Sequence, residues 1–140
     1  MIIFEYETDF PLPDDWDEQK VRTWLEECIR KFQVKLDSLV FTFLDDERMR
    51  EVNRAVFNRD YYTDTVTLTY DTGETLSGEI YISLPRVREN AQKFETTYAN
   101  ELLRVMIHSF LHTLGYNDYT DDEKKQMRCW EDECLRYYGL

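Results

Sequence analysis

The stretch from about Tyr98 to Leu114 constrains this chain more than any other. Leu102, Leu103, Met106, Phe110 and Leu114 recur at helical spacing, so a long helix presents an apolar face to a core. Gly115 follows at once, where a residue that tolerates positive φ ends a helix. Both histidines of the chain, His108 and His112, lie on this helix four residues apart. That spacing puts their Cβ atoms about 6 Å apart on one face. Two imidazole nitrogens can therefore converge on one cation at the roughly 2.0–2.1 Å that zinc requires. Past Gly115 the chain must turn back, and the turn can bring Asp118 to the open side of the pair.

The full pattern is H-x-x-x-H-x-x-G-x-x-D. Three protein ligands with a fourth position left open mark a catalytic metal site, whereas a structural site is closed. The spacing matches the metzincin pattern H-E-x-x-H-x-x-G-x-x-H except at two places. Asp118 stands where the third histidine would, and it can still bind through an oxygen. Ser109 stands where the glutamate would, and that glutamate is the base that activates water for peptide cleavage. The helix is thus zincin-like in its metal ligands but lacks the base a metalloprotease needs. Two histidines and a carboxylate also suit non-haem iron.

The remaining chain reads as alternating strand and helix patterns. Residues Ile2 to Thr8 alternate as a first strand, and Leu39, Phe41 and Phe43 mark a second. Between them, Val21, Trp24, Leu25, Cys28, Ile29 and Phe32 form one helical stripe, with Asp14 or Asp15 expected as its cap. Asp45 caps a helix through Met49, Val52 and Val56. The segment "TDTVTLTY" places Val66, Leu68 and Tyr70 on one strand face and threonines on the other. The turn "DTGET" then leads into "GEIYIS", making a hairpin. Pro85 sits where a first helical turn tolerates it, and Val87, Ala91 and Phe94 continue that helix. After the metal helix, "TDDE" is a capping box that opens a last helix through Met127, Trp130 and Cys134. The order β-α-β-α-β-β-α-α-α implies an α/β (mixed α+β) domain. It would have about four strands, mostly parallel with one hairpin, packed by about five helices.

A chain of 140 residues can bury a core as one domain, here 1–140, and no linker or repeat divides it. A hydrophobic share of 42% and an aromatic share of 15% place it among globular chains. No apolar run approaches the roughly 20 residues of a membrane span. "MIIFEYETDF" lacks the regions of a signal peptide, so the cytoplasm is the expected location. Three cysteines, Cys28, Cys129 and Cys134, read as small buried apolar residues and not as a disulfide framework or thiolate site. The net charge of −12 opposes long-range attraction to a phosphate backbone, although a local cleft can differ from the average.

The segment "RVMIHSFLHTLGYND", with Met127 and Glu131 downstream, resembles the H-G-x-L-H-L-x-G-Y-D-H signature of the YbeY family of metal-dependent endoribonucleases. "EVNRAVFNRDYYTDTVTL" is similar to that family's L-N-x-x-Y-R-x-x-D-x-P-T-D-V-L-S-F, with Asn53, Asp60, Thr63 and Asp64 in matching places. "SGEIYIS" resembles its G-D-I-x-I-S through Gly78, Ile80 and Ser83, and Glu101 with Leu102 matches the Glu-Leu ahead of the signature. The resemblance spans nearly the whole chain. It implies a small mixed α/β domain with a four-stranded sheet and a metal cleft. It also implies single-strand cleavage of ribosomal RNA precursors by water activated at one zinc ion, with other divalent transition metals admitted. The metal ligands would be His108, His112 and Asp118. The implied partners are single-stranded or ribosomal RNA, the small ribosomal subunit and an assembly GTPase. The alternative is an assembly factor without turnover, carrying a structural or vestigial metal site.

Three positions depart from the family pattern. Asp118 takes the place of the third metal histidine, Ser109 that of a glycine, and Phe57 that of an arginine thought to face the reacting phosphate. Arg59 lies two residues on, within reach of the same space. Glu101 precedes His108 by seven residues, about 10 Å along the helix axis, so a hydrogen bond or ion pair is expected of it, not metal ligation. Asp64, at a strand start, is expected to serve a turn or cap.

Overall fold

The structure, a computed structural model, describes residues 1–140. The elements follow the expected order: β1 (Ile2–Tyr6), α1 (Glu18–Arg30), β2 (Leu36–Leu44), α2 (Asp46–Phe57), β3 (Thr65–Asp71), β4 (Leu76–Ser83), α3 (Leu84–Lys93), α4 (Tyr98–Thr113) and α5 (Asp121–Tyr138). The four strands form one sheet in the order β1-β2-β4-β3. β1 and β4 each run parallel to β2, while β3 closes the far edge antiparallel to β4.

Strand alternation divides the sheet between two cores. Leu39, Phe41 and Phe43 of β2, with Ile80 and Ile82 of β4, point into the main core beside residues of α1, α3, α4 and α5. Leu44, Val66 and the half-buried Tyr81 point to the other face, where Met49 and Val52 of α2 cover them. Cross-strand pairing fixes the edge strand. Thr65 pairs with Ile82, so the threonine side of β3 turns toward the main core and α4, while Val66, paired with Tyr81, turns toward α2. Tyr70, at the outer end of that apolar side, is exposed.

α4 is the most buried helix of the main core, packed by α3, α5, β3 and β4. Ten of its 16 residues are buried, more than one amphipathic stripe supplies, because strands, α3 and α5 all lie against it. Gly78 lets β4 approach it closely: a Cβ there would meet Leu39 Cδ1 at 2.9 Å and Thr113 Cγ2 at 3.1 Å.

Three local expectations are corrected. α1 is capped by Asp17, whose carboxylate accepts from the Gln19 and Lys20 amides, and not by Asp14 or Asp15. Those two lie in the preceding turn, where the Trp16 amide bonds the Pro13 carbonyl and delays the helix. Phe94 does not continue α3. It is the C-cap, 61% exposed. Cys28 and Cys134 are buried as expected, but Cys129 is exposed, since α5 turns that face to solvent. The caps Asp45, Ser83 and Thr97 and the Thr120–Glu123 capping box all form.

Candidate metal centre

The end of α4 builds the site through its own termination. The Gly115 amide bonds the His112 carbonyl, and the Tyr116 amide bonds the Leu111 carbonyl. That is the double closure of a helix whose chain reverses through a left-handed residue, and Gly115 has φ +93°. Tyr116 is pinned by its ring, 4.5 Å from Trp130 of α5 and 6.1 Å from Phe32. The reversed chain then delivers Asp118 to the histidines.

His108 Nε2 and His112 Nε2 are 3.0 Å apart. Asp118 Oδ2 lies 3.4 Å from the first and 3.7 Å from the second. The other nitrogen of each ring decides what these atoms are. His112 Nδ1 donates to the Tyr116 carbonyl at 2.9 Å, and a carbonyl can only accept, so the ring proton is on Nδ1. His108 Nδ1 faces Glu131 Oε2 at 2.6 Å, which places its proton there too. Both Nε2 atoms therefore present lone pairs to each other and to a carboxylate oxygen. Three acceptors at these distances repel one another unless a metal ion, or a proton on one ring, lies between them. Two ligands about 2.05 Å from a tetrahedral ion stand roughly 3.3 Å apart, close to the 3.0–3.7 Å found here. The donor set and its spacing thus fit a divalent metal ion.

Behind the histidines a charged chain holds the rings in place. Glu131 is buried and accepts from Arg104 Nη1 at 3.0 Å, and Arg104 Nη2 reaches Asp132 at 2.8 Å. A carboxylate behind a metal-facing imidazole fixes its tautomer and raises its basicity. Burial alone lowers the His108 pKa, but the Glu131 carboxylate, with Asp118 and Asp64 farther off, outweighs it and the net shift is upward. Ser109 is fully buried and its hydroxyl is 2.8 Å from the Thr65 hydroxyl, so this position ties the metal helix to the edge strand.

A cavity of about 350 Å³ opens beside His108 and Asp118. Asp64 and Glu101 line it, so Asp64 is more than the turn or cap residue expected, although its carbonyl does accept from the Ser83 amide. Burial raises the pKa of both acids; backbone amides of Asp64 and Thr65 offset part of the rise at Asp64, while the Asp64 charge adds to that at Glu101. The hydrogen bond or ion pair expected of Glu101 does not form: the residue is only 6% exposed, and its carboxylate opens onto the cavity without a partner in the chain. Arg104, Lys124 and Arg128 supply the cavity's positive charge.

Phe57 and Arg59 stand outside this cavity. The Arg59 guanidinium sits 5.3 Å over the Phe57 ring and donates to the Tyr61 hydroxyl. Asn53 is buried and donates to the Tyr61 carbonyl, while Asp60 pairs with Arg50 and Arg54, so the other matched residues order the loop between α2 and β3. Sequence reasoning gave no role to Arg104 and Glu131, although both belong to the stretches that carry the resemblance, and it missed Lys124 and Arg128, which lie on the last helix without a local pattern of their own. The Tyr116 carbonyl carried a signal, since it follows the helix-ending glycine directly.

Comparison with known proteins points the same way. The family model described as Endoribonuclease YbeY matches residues 4–139. Endoribonuclease YbeY of Flavobacterium psychrophilum is 38% identical over 140 residues, covering 100% of this chain and 98% of that protein. Its counterpart in Christiangramia forsetii is 40% identical over 139 residues, covering 99% of this chain and 95% of that protein. A solution structure from Thermotoga maritima superposes with a TM-score of 0.69 at 26% identity, covering 99% of this chain and 89% of that one.

Proposed function

The chain belongs to the YbeY family of endoribonucleases, and from that membership we propose that it cleaves single-stranded ribosomal RNA precursors at a metal held by His108, His112 and Asp118. It is a metal-dependent hydrolase acting on RNA. Zinc is the ion we assign, because two neutral imidazoles and one carboxylate form a borderline donor set that zinc accepts with a fourth position free. When bound, the ion supplies Lewis acidity to water and to the scissile phosphate.

The single observation that carries the ligand set is the mutual approach of three acceptor atoms, all within 4.8 Å of one another. Glu131 and the Tyr116 carbonyl hold the Nδ1 protons in place, so both Nε2 lone pairs stay aimed at the ion. Lys124 and Arg128 place positive charge on the cavity wall, where a phosphate entering an acidic protein needs it. An unpaired strand bends into such a cavity more readily than a duplex. The small ribosomal subunit and an assembly GTPase are the partners we assign, since protein contacts can present RNA to a chain of charge −12. The cytoplasm is the corresponding location, and no helix is long and apolar enough to cross a membrane.

The test is zinc content and single-stranded RNA cleavage of metal-replete protein beside His112→Ala. Loss of both in the variant supports the reading. Cleavage that persists in a His108→Ala, His112→Ala double variant comes from a contaminating nuclease, and the assembly factor without turnover then becomes the better account.

A further inference from the structure

Beyond His108 the cavity continues toward the first turn of α4 and joins a second hollow of about 490 Å³, in which Phe94, Asn100, Glu101 and Arg128 meet. Building on the reading that RNA is cut at the His–His–Asp site, we propose that this hollow is a base-recognition subsite that selects guanine in the nucleotide adjoining the scissile phosphate.

Glu101 is the observation that points to a ligand. Glu101 is only 6% exposed as a residue, lines both hollows and has no hydrogen-bond or ion-pair partner within the chain, so its carboxylate oxygens open onto the hollow. The contrast with Glu131, equally buried but held by both Arg104 and His108, is sharp. Arg104 follows Glu101 by only one turn and lines both hollows, but its guanidinium is taken up by Glu131 and Asp132. The chain supplies no donor to these oxygens where they face the hollow, so an incoming group that supplies donors makes hydrogen bonds no side chain competes for. A phosphate cannot be that group, since like charges repel. A second hard cation would need more oxygen ligands than Glu101 and Asp64 provide.

A nucleobase meets the requirement, and one base meets it best. Guanine presents N1–H and N2–H side by side, two donors that one carboxylate accepts together. Adenine and cytosine offer one amino group beside a ring acceptor, and uracil offers one N–H between two carbonyls. Each would set an acceptor against the carboxylate, which counts against the wrong base. The Asn100 side-chain amide has no partner in the chain, and Arg128 is exposed with only a 4.0 Å approach to Asp132, so both can donate to guanine O6. Phe94 offers the stacking surface, its ring 61% exposed at the C-cap of α3. The seven residues from Glu101 to His108 span about 10 Å of helix, the reach of one nucleotide from its phosphorus to the far edge of its base.

The experiment titrates zinc-loaded, full-length protein with guanosine, adenosine, cytidine and uridine 5′-monophosphates, which bind but cannot be cut. The guanine nucleotide should bind about tenfold more tightly than the other three. Glu101→Gln should bring it to their level, with zinc content and melting temperature as in the wild type. Phe94→Ala, at an exposed site, should weaken all four alike by roughly tenfold. Equal affinities in the wild type, or an undiminished guanine preference in Glu101→Gln, would overturn the subsite. Cleavage of single-stranded RNA is measured separately on the wild type. Cleavage together with equal mononucleotide affinities removes the subsite alone, whereas a guanine preference without cleavage removes the nuclease reading and, with it, the placing of the bound guanine beside a scissile phosphate.

Discussion

Asp118 is where this site differs most from an all-histidine ligand set, and its oxygen is already within 3.4–3.7 Å of both imidazoles. Asp118→Ala should therefore lose most zinc affinity, while Asp118→His should keep or raise it. Competition with a chelator of known strength measures both, and equal affinity in wild type and Asp118→Ala would exclude the aspartate as a ligand. Glu131 is a more indirect case, since it touches His108 and not the ion. Glu131→Gln keeps the shape but removes the charge behind the ring and weakens the hold on Arg104. Zinc affinity should fall by about 10- to 100-fold, the range usual when such a partner is lost. Unchanged affinity would show that His108 needs no carboxylate to orient it.

The elements matter at their ends more than at their middles. Gly115 has φ +93° and nothing within 4 Å of a Cβ placed there, so Gly115→Ala meets backbone strain alone, without a clash. It should destabilise the fold by about 1 kcal/mol and weaken zinc binding as well, because the same turn carries the Tyr116 carbonyl and Asp118. Denaturant unfolding of the metal-free protein and chelator competition read the two effects separately. At the end of α2, hydrogen bonds from Arg50 and Arg54 hold the Asp60 carboxylate down to about 2. Since its folded pKa lies below the unfolded value near 4, the stability it contributes is present above that value and is lost as pH falls toward 2. Asp60→Asn should thus be less stable than wild type by a constant amount above about pH 5, with the gap closing between roughly pH 4 and 2. A gap that stays constant through that acid range would show that the arginines do not depend on the aspartate's charge.

Across the whole molecule the charge of −12 sets the terms on which RNA can approach. Lys124 has no carboxylate partner and lines the cavity beside the metal ligands, whereas Arg59 is held over Phe57 and bonded to Tyr61. Lys124→Ala should weaken single-stranded RNA binding and reduce the slope of log affinity against log salt by about 0.7, the share of one phosphate contact. Arg59→Ala should leave that slope unchanged. Fluorescence anisotropy across a salt series decides it, and a reduced slope in Arg59→Ala would return the phosphate contact to that loop.

What the sequence determined by itself was local and periodic. Element order, the Asp45 and Thr120 caps, the Gly115 stop and the facing pair His108 and His112 all follow from spacings within a turn or two, where backbone geometry alone fixes which side chains meet. The helix start at Asp17 escaped because three nearby aspartates, Asp14, Asp15 and Asp17, offer similar caps, and the Pro13–Trp16 turn chose among them. The inward threonines of β3 escaped for a different reason. Alternation shows that two faces differ, but cross-strand pairing with Ile82 and Tyr81 decides which face meets which core. Only tertiary structure could bring Glu131 behind His108, 23 residues away in the chain, or leave Glu101 buried without a partner beside Phe94. Those arrangements depend on how α5 and α3 pack against α4, and packing between distant elements is set by the summed burial of the core, which no short stretch of sequence encodes.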